Sequence, residues 1–150
     1  GETDFGFVGD ITPDSVNSTL LYFLLKQNVI PVFAPLTHEN GTMLNTNADT
    51  IASALAVAMT TIYETSLVYC FEKQGVLRDV NDPNSVIAEI NQMDFERLQK
   101  IKAIAEGMIP KLHNAFEALL KGVAGVTIGH AQALHLIHQH QSGTRIVLRK

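Results

Sequence analysis

Several things are scarce in this chain, and each scarcity removes a class of function. There is one cysteine, Cys70, so no internal disulfide can form. That excludes a disulfide scaffold and makes a reducing cytoplasm the expected home. Cys70 lies in the apolar stretch 66–71 with no basic neighbour to lower its pKa, and reads as core filler rather than as a nucleophile. Charged residues are only 17% of the chain, and the formal net charge is −4. A general nucleic-acid binder needs clustered Lys and Arg to neutralise phosphates, so no nucleic acid is expected as a partner. No apolar run approaches the length of a membrane span, and no membrane partner is expected. The start carries no signal-peptide pattern. Neither a G-x-x-x-x-G-K-[ST] loop nor a G-x-G-x-x-G turn occurs, so the two common nucleotide motifs do not apply.

What is present suits one domain with a sizeable core. The chain has 150 residues and 46% of them are hydrophobic, which argues against disorder. It opens on Gly1 rather than methionine, and the first nine residues read as the middle of something longer.

Strand-like and helix-like segments alternate. Phe5–Val8 is a short apolar piece. Thr12 and Pro13 suit an N-cap and a first helical position, and Val16, Leu20, Phe23 and Leu24 predict an amphipathic helix over 13–27. Val29–Phe33 is a continuous apolar run, expected as a strand buried on both faces, although Pro31 weakens a central place in the ladder. Glu39-Asn40-Gly41-Thr42 carries the Asn-Gly signature of a tight hairpin. Asn47 is expected to cap a helix whose apolar face is Ile51, Leu55, Ala58, Met59 and Ile62. Ser66–Phe71 is expected as a strand, 72–77 as the loop leaving it, 79–85 as turn material and 86–90 as a short strand. Asp94 is expected to cap a helix bearing Phe95, Leu98 and Ile101. A helix starting near Pro110 buries Ile109, Leu112, Phe116, Leu119, Leu120 and Val123. A strand over 125–128, a turn at Gly129-His130, a helix over 131–138 and a last strand over 144–148 complete the chain. The alternation predicts an α/β fold with a mainly parallel sheet.

The candidate site starts at Asn45-Thr46-Asn47-Ala48-Asp49-Thr50, where a connection becomes a helix start, a common ligand position in α/β proteins. Asn45, Asn47 and Asp49 alternate and are close enough in sequence to share one ligand or one network. Asp49 also complements the helix dipole, and on position alone that plain role has the larger share. Lys111 falls in the first turn of its helix, where the dipole disfavours a cation. It is either a solvated surface lysine or a sign of a bound anion. Gly107 just ahead would let backbone amides approach a phosphate. The loop with Glu72, Lys73 and Gly75 leaves the C-terminal end of a strand, the favoured ligand edge of an open sheet. His130, His135, His138 and His140 have no acidic or cysteine partner nearby and read as solvated or partly buried, so no metal site is expected of them.

The motifs Val29-Ile-Pro-Val-Phe-Ala-Pro35, Gly41-Thr-Met-Leu-Asn45-Thr-Asn47-Ala-Asp49, Gly75-Val-Leu77, Gly107-Met-Ile-Pro-Lys111-Leu-His-Asn-Ala115 and Gly143-Thr-Arg-Ile146 occur in an order that resembles the C-terminal part of the N-acetylglutamate kinases, a branch of the amino acid kinase family. The resemblance covers essentially the whole chain. It implies a three-layer α/β/α fold, with residues 1–150 as the C-terminal, ATP-binding part and the family's N-terminal half absent. It implies Asn45 on the amino-acid portion of the substrate, and Asp49 as the aspartate that positions catalytic lysines. Lys111 would contact the ATP phosphates and the transferring phosphoryl group, and the loop of Glu72, Lys73 and Gly75 would lie by the nucleotide. The implied reaction moves the γ-phosphoryl of ATP, with Mg²⁺, to the side-chain carboxylate of an N-acylglutamate in arginine biosynthesis. A homo-oligomer is expected.

Two departures stand out. Phe71-Glu72-Lys73 replaces the family's usual Thr/Ser-Asp pair before the loop glycine, which marks a divergent branch that could take another acyl group such as succinyl. The family's glycine-rich phosphate loop and a second catalytic lysine have no counterpart here, so this chain alone is expected to bind nucleotide weakly at best and not to turn over. The rival readings are a kinase of another carboxylate or of uridylate, a non-catalytic nucleotide-binding or regulatory module, and a Rossmann-type anion-binding domain. Convergence of Asp49 and Lys111 on one cleft discriminates among them.

Overall fold

The computed structural model describes residues 6–79, 81–101, 103–104 and 106–148. Phe5 and Val80, which belong to two of the segments above, lie outside the described residues.

The described strands form two sheets. The first joins β1 (Val8–Gly9), β2 (Leu36–Glu39) and β3 (Thr42–Thr46) in the order β1-β3-β2. β2 and β3 are an antiparallel hairpin, and β1 runs parallel to β3. The hairpin turn is the predicted one. Asn40 and Gly41 both have positive φ, 49° and 81°, as a two-residue turn matched to the strand twist requires. The second sheet joins β4 (Ser66–Phe71), β5 (Glu89–Ile90), β6 (Gly125–His130) and β7 (Thr144–Ile146) in the order β4-β6-β7-β5. Three of the five pairings among described strands are parallel.

Among the described residues, five α-helices accompany these sheets: α1 (Ser18–Lys26), α2 (Ala48–Met59), α3 (Gln92–Lys100), α4 (Ile109–Leu120) and α5 (Leu134–His138). Val126 and Ile128 of β6 are fully buried in one core with Leu112, Ala115 and Phe116 of α4 and with Phe95 and Leu98 of α3. Side chains alternate along a strand, so Gly129 faces the other way. There a Cβ would come within 2.6 Å of Ile137 of α5. Helices therefore lie on both faces of the larger sheet, and the α/β/α layering follows.

Several expectations are corrected. Val29–Phe33 is not a strand: Ile30 is 85% and Val32 91% exposed. A strand exists only through a paired neighbour, and among the described residues none lies beside this run. The helix over 13–27 is two pieces, a 3-10 turn at Pro13–Ser15 and then α1. The Asn17 side chain caps α1 by accepting from the Leu20 amide, while the Thr12 hydroxyl bonds only to that of Ser15. Asn91, not Asp94, caps α3, and its side chain accepts from the Asp94 amide. Residues 86–90 contribute only the two-residue β5, after a single Leu77–Val86 bridge. Gly129 and His130 remain in β6, paired with Cys70 and Phe71; the turn comes after them. Residues 131–138 divide into a 3-10 turn and α5, and the last strand stops at Ile146. Ile62, Ile101 and Leu120 are exposed because they stand at or beyond helix ends. Cys70 is exposed too. β4 is an edge strand whose core side carries Leu67 and Tyr69, and Cys70 alternates to the other side.

Candidate functional site

α2 begins at the cap that the sequence predicts. The Asn47 side chain accepts from the amides of Asp49 and Thr50, at 2.9 and 3.2 Å. That fixes the first turn and aims Asp49 outward from it. α4 begins after a 3-10 turn at Glu106–Met108, with Pro110 in its first turn. The two helices pack against each other, and the Lys111 ammonium forms an ion pair with the Asp49 carboxylate. Only 19% of the Lys111 side chain and 25% of the Asp49 side chain is exposed. Lys111 is therefore neither core nor a solvated surface lysine. Each residue stands in the first turn of its helix, so two positive helix ends meet at the pair.

Tyr69 of β4 lies beneath. Its ring centroid is 5.8 Å from the Lys111 nitrogen, and its hydroxyl donates to the Asp49 backbone carbonyl at 3.3 Å. Burial pushes its pKa up to about 12, opposed by a hydrogen bond with Ser53 and reinforced by the Asp49 charge. Tyr69 thus stays a neutral hydroxyl. Sequence reasoning missed it, and the available signal was the alternation that puts Leu67 and Tyr69 on one side of a strand.

The loop after β4 encloses a cavity of about 220 Å³ lined by Phe71, Glu72, Lys73, Gly75, Val76, Leu77, Ile104 and Met108. Met108 immediately precedes α4, so the cavity wall runs into the helix start that carries Lys111. Glu72 and Lys73 are exposed at the rim. Gly75 has a packing reason of its own: a Cβ there would lie 2.6 Å from the Thr144 hydroxyl. That hydroxyl accepts from the Val76 amide at 2.8 Å and so ties the loop to β7. Gly107 is different, since a Cβ there would meet nothing within 4 Å. A larger concavity of about 550 Å³ lies around Thr127, Ile137, His140, Gly143 and Arg145. It contains neither Asp49 nor Lys111, whereas the smaller cavity reaches the start of α4 through Met108.

Asn45 stands in β3, where its amide bonds to the Phe7 carbonyl. Its side chain is exposed and makes no hydrogen bond to Asp49 among the described residues. Asn47 is consumed by capping, so the three alternating polar residues do not form one network. His130 caps the turn that follows it, its Nδ1 accepting from the Gln132 amide at 3.1 Å. His135, His138 and His140 are exposed. Among the described residues, no three His, Cys, Asp or Glu side chains gather as a metal site, and no helix is long and apolar enough to cross a membrane.

The fold is an α/β/α sandwich in which the starts of α2 and α4 bring Asp49 and Lys111 together near a loop cavity, which places the chain in the α/β class. Solved structures share the fold. N-acetylglutamate synthase from Neisseria gonorrhoeae is 24% identical, with a TM-score of 0.81 over 98% of this chain and 34% of its own. Giardia carbamate kinase is 19% identical, with a TM-score of 0.67 over 88% of this chain and 47% of its own. Residues 2–130 match the amino acid kinase family, and the chain belongs to that family. Among curated relatives, acetylglutamate kinase of Bacteroides fragilis is 53% identical over 97% of this chain and 54% of its own length. That of Myxococcus xanthus is 39% identical over 82% of this chain and 39% of its own. The chain thus spans about half the length, or less, of the curated relatives it matches.

Proposed function

We propose that this chain is the C-terminal, nucleotide-binding part of an ATP-dependent kinase. The enzyme phosphorylates the side-chain carboxylate of an N-acylated glutamate in arginine biosynthesis, in the cytoplasm. The observation that carries the reading is the Lys111–Asp49 pair between the first turns of α2 and α4. The acetylglutamate kinase relatives support the choice of substrate.

The reaction asks for two anions to be brought into line while charge on the moving phosphoryl group is neutralised. Lys111 supplies a cation, and the ammonium has donors left after Asp49 takes one. Asp49 aims it. The helix starts and Gly107 supply amides for phosphate oxygens. The cavity behind Glu72, Lys73 and Gly75 takes the apolar part of the nucleotide. Asn45 holds the amino-acid portion of the acylglutamate. The described residues offer no protein cage for Mg²⁺, so the ion would be ligated by phosphate oxygens and water, where it neutralises phosphate charge.

The test measures ADP release with ATP, Mg²⁺ and either N-acetyl- or N-succinylglutamate. It uses this chain alone and this chain joined to the part of the Bacteroides fragilis relative that it does not match. Release by the joined protein, with little from the chain alone, is the expected result. Nucleotide binding without release from the joined protein would favour a non-catalytic module instead.

A further inference from the structure

Tyr69 touches both halves of the charged pair. It is 2% exposed. Its hydroxyl reaches the Asp49 carbonyl and Ser53, both on α2, and its ring lies 5.8 Å from the Lys111 nitrogen on α4. Packing alone at this point of β4 asks only for an apolar side chain. A phenol there brings a hydroxyl that must be bonded once buried, and both of its partners belong to the helix that presents Asp49. Lysine has a flexible four-carbon stem and is not oriented by a single carboxylate. An aromatic face on its other side attracts the ammonium and narrows where it can point.

We propose that Tyr69 is a positioning residue of this site: its ring holds the Lys111 ammonium, and its hydroxyl fixes the first α2 turn that carries Asp49. The consequence for catalysis rests on the kinase reading, whereas the geometric claim does not.

The first measurement uses the chain as it stands. Reductive methylation with ¹³C labels the lysines, and the Lys111 resonance, assigned by its loss in Lys111→Ala, is compared with those of exposed Lys73 and Lys121. In the wild type and in Tyr69→Phe it is displaced upfield by the ring, and in Tyr69→Leu it returns to the exposed position. A wild-type Lys111 signal that coincides with the exposed lysines overturns the claim even if Tyr69→Leu fails to fold. Tyr69→Phe also removes the hydroxyl, so the amides of Asp49 and Thr50 exchange faster in it; unchanged exchange overturns the hydroxyl's role.

The second measurement uses the joined protein. Tyr69→Leu lowers kcat about tenfold with KM for the acylglutamate unchanged, and Tyr69→Phe restores most of the rate. A change confined to KM overturns the role. If the joined wild type releases no ADP, the kinase reading fails, and the resonance measurement still decides whether Tyr69 positions Lys111.

Discussion

Lys111 and Asp49 are 62 residues apart in the chain and paired in space, each in the first turn of its helix. The local rule against a cation at a helix start is offset at Lys111 by the carboxylate facing it from the neighbouring helix. In the joined protein, Lys111→Ala is expected to lower kcat by about 10²–10³, the usual loss when a charge-stabilising donor is removed. An unchanged rate of ADP release would remove Lys111 from the mechanism. Asp49→Ala leaves a half-buried ammonium without its partner. It should also cost about 1–2 kcal/mol of stability, read from the urea midpoint.

Gly75 and Gly107 should respond in opposite ways to alanine. At Gly75 the new methyl collides with Thr144 and Val86, so Gly75→Ala should destabilise by about 1–3 kcal/mol. At Gly107 there is open space, so Gly107→Ala should leave the melting temperature nearly unchanged. Its effect should fall on ATP affinity instead, measured by calorimetry on the joined protein. Unchanged affinity would mean that no phosphate comes close there.

Thr144 is fully buried and its hydroxyl satisfies the Val76 amide. Thr144→Val keeps the shape and strands that amide, at a cost of about 1–3 kcal/mol. Because the bond ties the 72–77 loop to β7, hydrogen exchange should speed up at Val76 more than at Leu67 on the same sheet. Uniform acceleration would instead mean a general loss of stability.

Tyr69 gives the fold an alkaline limit. Its pKa is raised in the folded state from 10.0 to about 12, chiefly by burial. Its contribution is therefore complete below pH 10 and is lost as the pH rises from about 10 to about 12, because the unfolded chain gives up the phenolic proton first. Tyr69→Phe should flatten the fall of stability across that window, checked by urea titrations at several pH values. A wild-type slope in the variant would assign the alkaline loss to other groups.

The features legible in the sequence were those set by neighbours in the chain. The Asn40-Gly41 turn, the Asn47 cap, Pro110 in the first turn of α4 and the core face of Leu112 and Phe116 each depend on a few adjacent residues and on the helix or strand period. The motif order that resembles acetylglutamate kinases was legible for the same reason. Tertiary structure decided the rest. Val29–Phe33 has a strand's composition and, among the described residues, lacks a strand's partner, because pairing is a property of two segments. Cys70 is exposed because β4 lies at an edge, which no local pattern reveals. Above all, position alone favoured a dipole complement for Asp49 and left Lys111 open between a surface lysine and a sign of a bound anion. Only the packing of α2 against α4 over Tyr69 turned them into one pair, because contact between residues far apart in sequence is set by how helices meet.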